Sequence, residues 1–409
     1  MGALIDFLRL NAPWLAAGFL LMFASSFGQT FFIAIFAGEI RAAFDLSHGG
    51  WGLIYTVATM GSAAVMIWAG VLTDRFRARS LGIVALVLLA AAGVAMWATT
   101  ALWALIAVIF ALRLMGQGMM SHIALVAMAR WFSATRGRAV SIATLGVASG
   151  EAILPLSFVA LMGVFAWREL WLIAATFLVA AVPILYILLQ RERTPQSMAR
   201  EAPSPGMYGR DWNRGEVLRH WLFWMALPAV LAPPTFNTAF FFHQVHIAEV
   251  KGWEHVALVA LFPAYTALNM TAMLGSGWLI DRFGSGPLAS VFLLPITLGY
   301  VLMAGAEGIA GGLVAMLLMG VSVGAGATLG GAFWAEYYGT RHLGAIRAMT
   351  AACMVFGTAV GPGITGVLID IGITFDRQMI AIAALYVIAA GCAALAVRRA
   401  RGLLPSVTA

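Results

Sequence analysis

Charge is scarce in this chain: only 10% of its 409 residues are charged, while 62% are hydrophobic. That balance excludes a water-soluble globule, because too few polar side chains remain to cover the surface of a folded chain this long. Cysteine is nearly absent as well. Cys353 and Cys392 fall inside apolar stretches with no metal-ligand or redox spacing, so they read as small packing residues and no metal site is expected. No nucleophile, base and orienting acid converge on one place, which argues against an enzyme, and no cofactor is expected. The first apolar run lacks a cleavage site and should stay as a membrane helix rather than leave as a signal peptide.

What the chain has instead is long apolar runs. A helix needs roughly 20 apolar residues to span a hydrocarbon core about 30 Å thick. Charges, prolines and glycine clusters cut the sequence into twelve such runs, α1 to α12, expected near 13–37, 51–72, 80–100, 103–129, 139–165, 169–190, 221–246, 256–280, 287–305, 309–333, 344–370 and 377–397. The fold class is therefore an all-α membrane protein of two six-helix bundles, residues 1–190 and 221–409. Between them, residues 191–220 are rich in Pro, Gly and Arg and read as a solvated cytoplasmic linker. A short surface helix is expected over Asn213 to Arg219.

Arginine placement sets the orientation, since basic residues gather in cytoplasmic loops. With both termini in the cytoplasm, the outer loops hold only Arg41, Arg168, Lys251 and Arg377, and the one basic residue assigned to neither side, Arg113, falls inside α4. The net charge of +7 is then a topology signal facing the anionic inner leaflet, not a nucleic-acid footprint. The expected setting is the cell inner membrane, as a multi-pass monomer in the lipid bilayer.

One segment occurs twice. Gly70-Val71-Leu72-Thr73-Asp74-Arg75-Phe76 recurs as Gly277-Trp278-Leu279-Ile280-Asp281-Arg282-Phe283, 207 positions on. A similar shift sets Phe236-Asn237-Thr238 near Phe27-Gly28-Gln29-Thr30, and Leu318-Met319-Gly320 near Leu114-Met115-Gly116. Matches in this order indicate two parallel repeats, an arrangement that encloses a substrate near the midplane and rocks about it. The doubled motif, the helix count and the basic central loop together resemble the major facilitator superfamily. That resemblance implies gating roles at the cytoplasmic side for Gly70, Asp74, Arg75 and Arg79 in the first half, and for Gly277, Asp281 and Arg282 in the second. Gly286 stands where the second copy would carry its later arginine.

Arg113 is the unusual residue, because a cation at that depth costs several kcal/mol and should face a partner or a polar cavity. Glu151, the carboxylate at the centre of α5, lies within about 6 Å of the same depth by helical rise. The two are expected to pair, and a substrate or water path competing for the arginine would free the glutamate to take up a proton. A structural ion pair stays open as the alternative. Arg113-x-x-Gly116-Gln117-Gly118 resembles the superfamily's fourth-helix arginine motif. Gly146-x-x-x-Gly150 resembles its antiporter signature, with Glu151 in place of the expected proline. Helical spacing groups the remaining midplane polar residues into Ser25 with Gln29, Arg113 with Gln117, Thr144 with Glu151, Asn237 with Gln244, and Tyr265 with Asn269. These line the expected substrate cavity.

Trp131-Phe132 followed by Arg136-Gly137-Arg138-Ala139, with Gly361-Pro362, Gly366 and Asp370 in α11, resembles the monocarboxylate and oxalate/formate branch. That resemblance implies a small organic acid as substrate and proton symport as coupling. The chain departs from the branch in having no lysine in α1 and no charge between Val256 and Ile280, which leaves anion recognition to Arg113. A proton-driven exporter of drugs or metabolites and a membrane solute sensor stay open as rivals.

Overall fold

The computed structural model describes residues 2–132, 135–191 and 205–404, less the side chains of residues 2–5, 74, 136 and 344. Twelve helices are long and apolar enough to cross a membrane: α1 Asp6–Gly28, α2 His48–Ala69, α3 Ala78–Ala98, α4 Leu102–Trp131, α5 Gly137–Leu161, α6 Trp167–Leu188, α7 Trp221–Phe242, α8 His255–Phe283, α9 Ser285–Gly305, α10 Ile309–Tyr338, α11 Ala345–Asp370 and α12 Phe375–Leu403. They fall into two compact units, Met1–Arg200 and Glu201–Ala409. Large apolar side chains such as Ile67 (71% exposed) and Leu274 (69%) stand on the outside, where hydrocarbon rather than water is their solvent.

Each unit pairs its helices in the same way. In the first, α1 packs on α5, α2 on α4 and α3 on α6; in the second, α7 packs on α11, α8 on α10 and α9 on α12. Small residues set these close approaches. Gly146 and Gly150 bring α5 against Phe19, Phe23 and Ser26 of α1, and Gly357 with Gly361 bring α11 against Thr235 of α7. The sequence repeat is thus a repeat of packing. Basic residues also close equivalent helix ends. Arg168 donates to the carbonyls of Trp97 and Thr99 at the end of α3, and Lys251 donates to those of Ala304 and Ala306 at the end of α9, where a cation meets the negative end of a helix dipole.

Three features depart from the expected runs. α1 does not continue to residue 37: it tightens to a 3₁₀ turn at Ser26–Gly28, Gln29 is extended at φ −83°, ψ 156°, and helix resumes at Thr30–Ile33. Within α4, Arg113–Met120 winds as a π-helix. α7 runs unbroken through Pro228, Pro233 and Pro234 to Phe242, then turns at His243 into a separate helix, Gln244–Lys251. Around the proline pair, the Tyr386 hydroxyl donates to the Ala232 carbonyl at 3.3 Å and that of Tyr300 to Phe236 at 2.7 Å, tying α7 to α12 and α9.

Of the expected linker, residues 192–204 lie outside the described residues; within 205–219 Gly206, Met207, Trp212 and Val217 are buried anchors while most of the other residues are exposed. Met207 is 0% and Trp212 5% exposed. The Trp212 amide donates to the Tyr338 carbonyl at the end of α10, and its indole to Met207. The helix Arg214–Arg219 forms where expected, with Asn213 and Glu216 closing a reciprocal capping box. Trp212, His220 and Tyr338 pack ring to ring and anchor the segment.

Candidate substrate site and motif joints

The break in α1 and the π-helical segment of α4 meet at one point. A Cβ on Gly116 would lie 2.6 Å from the Gly28 Cα and 2.8 Å from its nitrogen, so the two backbones touch with no room for a side chain. Here Arg113 Nη1 donates to the Gly28 carbonyl at 3.0 Å and reaches the Thr30 hydroxyl at 3.5 Å. Thr30 in turn hydrogen-bonds the Tyr55 hydroxyl, and the Tyr55 ring lies 5.2 Å from the Arg113 Cζ. Arg113 is 1% exposed. Its Nε and Nη2 have no hydrogen-bond partner, and these two N–H groups form one edge of the guanidinium, spaced to grip both oxygens of a carboxylate.

The expected pair of Arg113 with Glu151 is not formed. The bonded nitrogen of the guanidinium is committed to Gly28 and Thr30, and its other edge touches no acceptor. The reason is α1, which packs against both the π-helical segment and α5 and supplies the carbonyl that the arginine takes. Glu151 is half-buried on α5, next to Gly150, whose added Cβ would meet the Ser26 side chain. Thr144 turns its hydroxyl to the Val140 carbonyl of its own helix at 2.8 Å.

Of the other expected cavity residues in the first unit, Ser25, Gln29 and Gln117 gather at the same crossing. The Ser25 carbonyl would lie 3.1 Å from a Cβ on Gly116, and the Gln117 amide as close to one on Gly28. The Ser25 hydroxyl itself bonds the Met22 carbonyl at 2.6 Å. In the second unit Asn237 and Tyr265 come together, the amide donating to the phenol oxygen at 3.3 Å. Asn269 stands one turn from Tyr265, its backbone against Gly320 and Gly324. Gln244 does not share the face of Asn237, because α7 ends between them; it is buried on the next helix, 3.4 Å from His255 Nε2.

The doubled motif is held by side chains of α4 and α10 that its pattern does not name. The Gly70 carbonyl takes the Thr73 hydroxyl at 2.8 Å and His122 Nε2 at 3.2 Å, while Arg130 Nη1 donates to the Thr73 carbonyl at 2.6 Å. Arg79 reaches the Leu189 carbonyl at 3.5 Å and lies over the Tyr186 ring. The side chain of Asp74 lies outside the described residues. In the second copy, Asp281 is exposed and Arg282 lies over Trp278 and Phe283. There Glu336 of α10 accepts the Ser285 amide at 2.7 Å, the first residue of α9. Glu336 stands one position short of the 207-residue repeat from Arg130, so neighbouring rather than identical positions of the two copies carry opposite charges that fasten the same hairpin.

A sequence model described as Major Facilitator Superfamily matches residues 18–362. The chain belongs to that superfamily. Among solved structures, this superfamily member is similar to a bacterial homolog of the human lysosomal transporter Spinster in an inward-facing, unoccupied conformation. That likeness has a TM-score of 0.76 at 15% identity and covers 97% of this chain and 99% of that one. The nucleoside transporter NupG has a TM-score of 0.65 at 12% identity over 96% and 100% of the two chains. Both likenesses show the transporter fold. Among curated proteins, monocarboxylate transporter 13 of Bos taurus is 30% identical over 184 residues, 44% of this chain and 40% of that protein. The chain is a multi-pass membrane transporter of small molecules.

Proposed function

We propose that this transporter carries a small organic acid together with protons across the inner membrane by alternating access, as a monomer with both termini in the cytoplasm. The observation that carries the reading is the unpartnered edge of Arg113, buried in the bilayer-spanning part of the first unit. The Gly28 carbonyl partners only one nitrogen of this cation, and the remaining Nε and Nη2 edge fits a carboxylate better than it fits a neutral solute. Ser25, Gln29 and Gln117 at the same crossing would supply neutral contacts; Asn237, Tyr265, Asn269 and Gln244 are the candidate substrate contacts of the second unit. The partial relative is itself a monocarboxylate transporter by name, which agrees with the choice.

Glu151 is the proposed proton carrier. Since Arg113 is engaged by Gly28, coupling would run through sequential occupancy, substrate on Arg113 and proton on Glu151, rather than through a broken ion pair. Gly70, Asp74, Arg75 and Arg79 with Gly277, Asp281 and Arg282 are the proposed gate residues, Arg79 acting by holding the end of α6. Proteoliposomes test the reading. Glu151→Gln should keep exchange of preloaded acid and lose accumulation driven by an inward proton gradient, while Arg113→Gln should lose both. Accumulation unchanged in Glu151→Gln, or acid exchange unchanged in Arg113→Gln, overturns the respective assignment.

A further inference from the structure

The second unit contains a cavity of about 340 Å³ between α7, α9, α10, α11 and α12, near the lower end of the 300–1,000 Å³ typical of small-molecule sites. Its wall is apolar almost throughout, with Pro233, Phe292, Val323, Phe333, Trp334 and Met354 among its largest contributors. Its polar side chains are Asn237, Thr350 and Arg347. Two of these are engaged. Asn237 bonds Tyr265 at 3.3 Å, and the Thr350 hydroxyl bonds the Arg347 carbonyl of its own helix at 3.0 Å.

Arg347 differs from both. It is exposed on the first turn of α11, and its guanidinium makes no ion pair with any carboxylate among the described residues. Two glycines of α10 line the cavity beside it. A Cβ on Gly330 would meet nothing within 4 Å, and one on Gly331 would come to 3.9 Å from the Arg347 Cζ and Nη2. α10 therefore presents bare backbone where side chains would close the space in front of the cation.

We propose that this cavity binds the apolar body of an amphipathic carboxylate, with its head group on Arg347. A single cation bordering an otherwise apolar chamber suits one anionic group joined to a hydrocarbon body; a dianion would leave a charge unpaired, and a polar solute would lose its hydration without replacement. The head stays partly hydrated at the exposed arginine while the body leaves water, the arrangement by which amphipathic groups settle at apolar boundaries. The inference rests on the organic-acid reading for the chemical class alone; the cavity is built wholly within the second unit and Arg113 belongs to the first.

The test is binding of radiolabelled octanoate to the full chain in lipid nanodiscs, with acetate and octanol as competitors. Wild type should bind octanoate saturably, and affinity across a series of acids should rise about fourfold per methylene until the chamber is full. Gly330→Leu, which fills the open space, and Arg347→Gln, at an exposed position that folding tolerates, should each weaken octanoate at least tenfold. Octanol should compete equally with wild type and Arg347→Gln. Octanoate affinity unchanged in either variant, or no saturable octanoate binding, overturns the proposal. Loss of proton-driven uptake in Glu151→Gln or Arg113→Gln with octanoate binding intact bears on the transport reading alone, so the two readings fail separately.

Discussion

At the scale of single residues, two glycines decide where the buried cation points. Gly28 and Gly116 meet backbone to backbone, which holds the Gly28 carbonyl 3.0 Å from Arg113. A methyl group on Gly116 has no flexible neighbour to displace, so Gly116→Ala should cost about 1–3 kcal/mol by overpacking and pull α1 away from Arg113. Gly118→Ala should cost less, because its Cβ would meet the flexible Met66 side chain. Thermal unfolding of the purified variants checks the order; equal losses would refute it. The sequence singled out Arg113 correctly as the costly residue, since a charge in an apolar run is visible in one dimension. Its partners were not visible. The depth argument found Glu151 but had no access to the break at Gln29, which inserts a backbone carbonyl first.

At the scale of elements, the apolar runs and their charged ends were legible because the bilayer imposes length and composition directly. Helix irregularities were not. The single run expected over 221–246 in fact ends at Phe242, and the turn at His243 separates Gln244 from Asn237. The π-helical turn at Arg113–Met120 leaves no composition signature beyond Gly116 and Gly118. The linker segment carries a pH dependence of its own. His220 packs against Trp212 and Tyr338, and burial, followed by the nearby charge of Arg210, holds its pKa below the ordinary 6.5. The unfolded segment therefore binds the proton more readily than the folded one. The clasp should be fully stable above about pH 6.5 and weaken as pH falls from there toward the folded pKa. Unfolding temperature measured from pH 7.5 to 5 should fall more steeply in wild type than in His220→Phe; parallel curves would refute it.

At the scale of the whole molecule, the positive-inside reading makes a prediction that labelling can decide. In a chain with Cys353 and Cys392 replaced, Tyr208→Cys and Val164→Cys both put a thiol at an exposed position, 60% and 79% exposed in the native residues. A membrane-impermeant maleimide should label the second in intact cells and the first only after the membrane is opened. The reverse pattern would invert the orientation. The duplication itself was plain in sequence because its motif residues are few and fixed, whereas the joints that hold them had already diverged. Arg130 grips the carboxyl end of one helix where Glu336 grips the amino end of the next. A duplicated hairpin offers both poles of a dipole to the same neighbour, so a charge of either sign placed near this joint can fasten it. The two halves are consequently alike in path but not interchangeable in parts: a chimaera carrying α4 in place of α10 would press a cation against an amide.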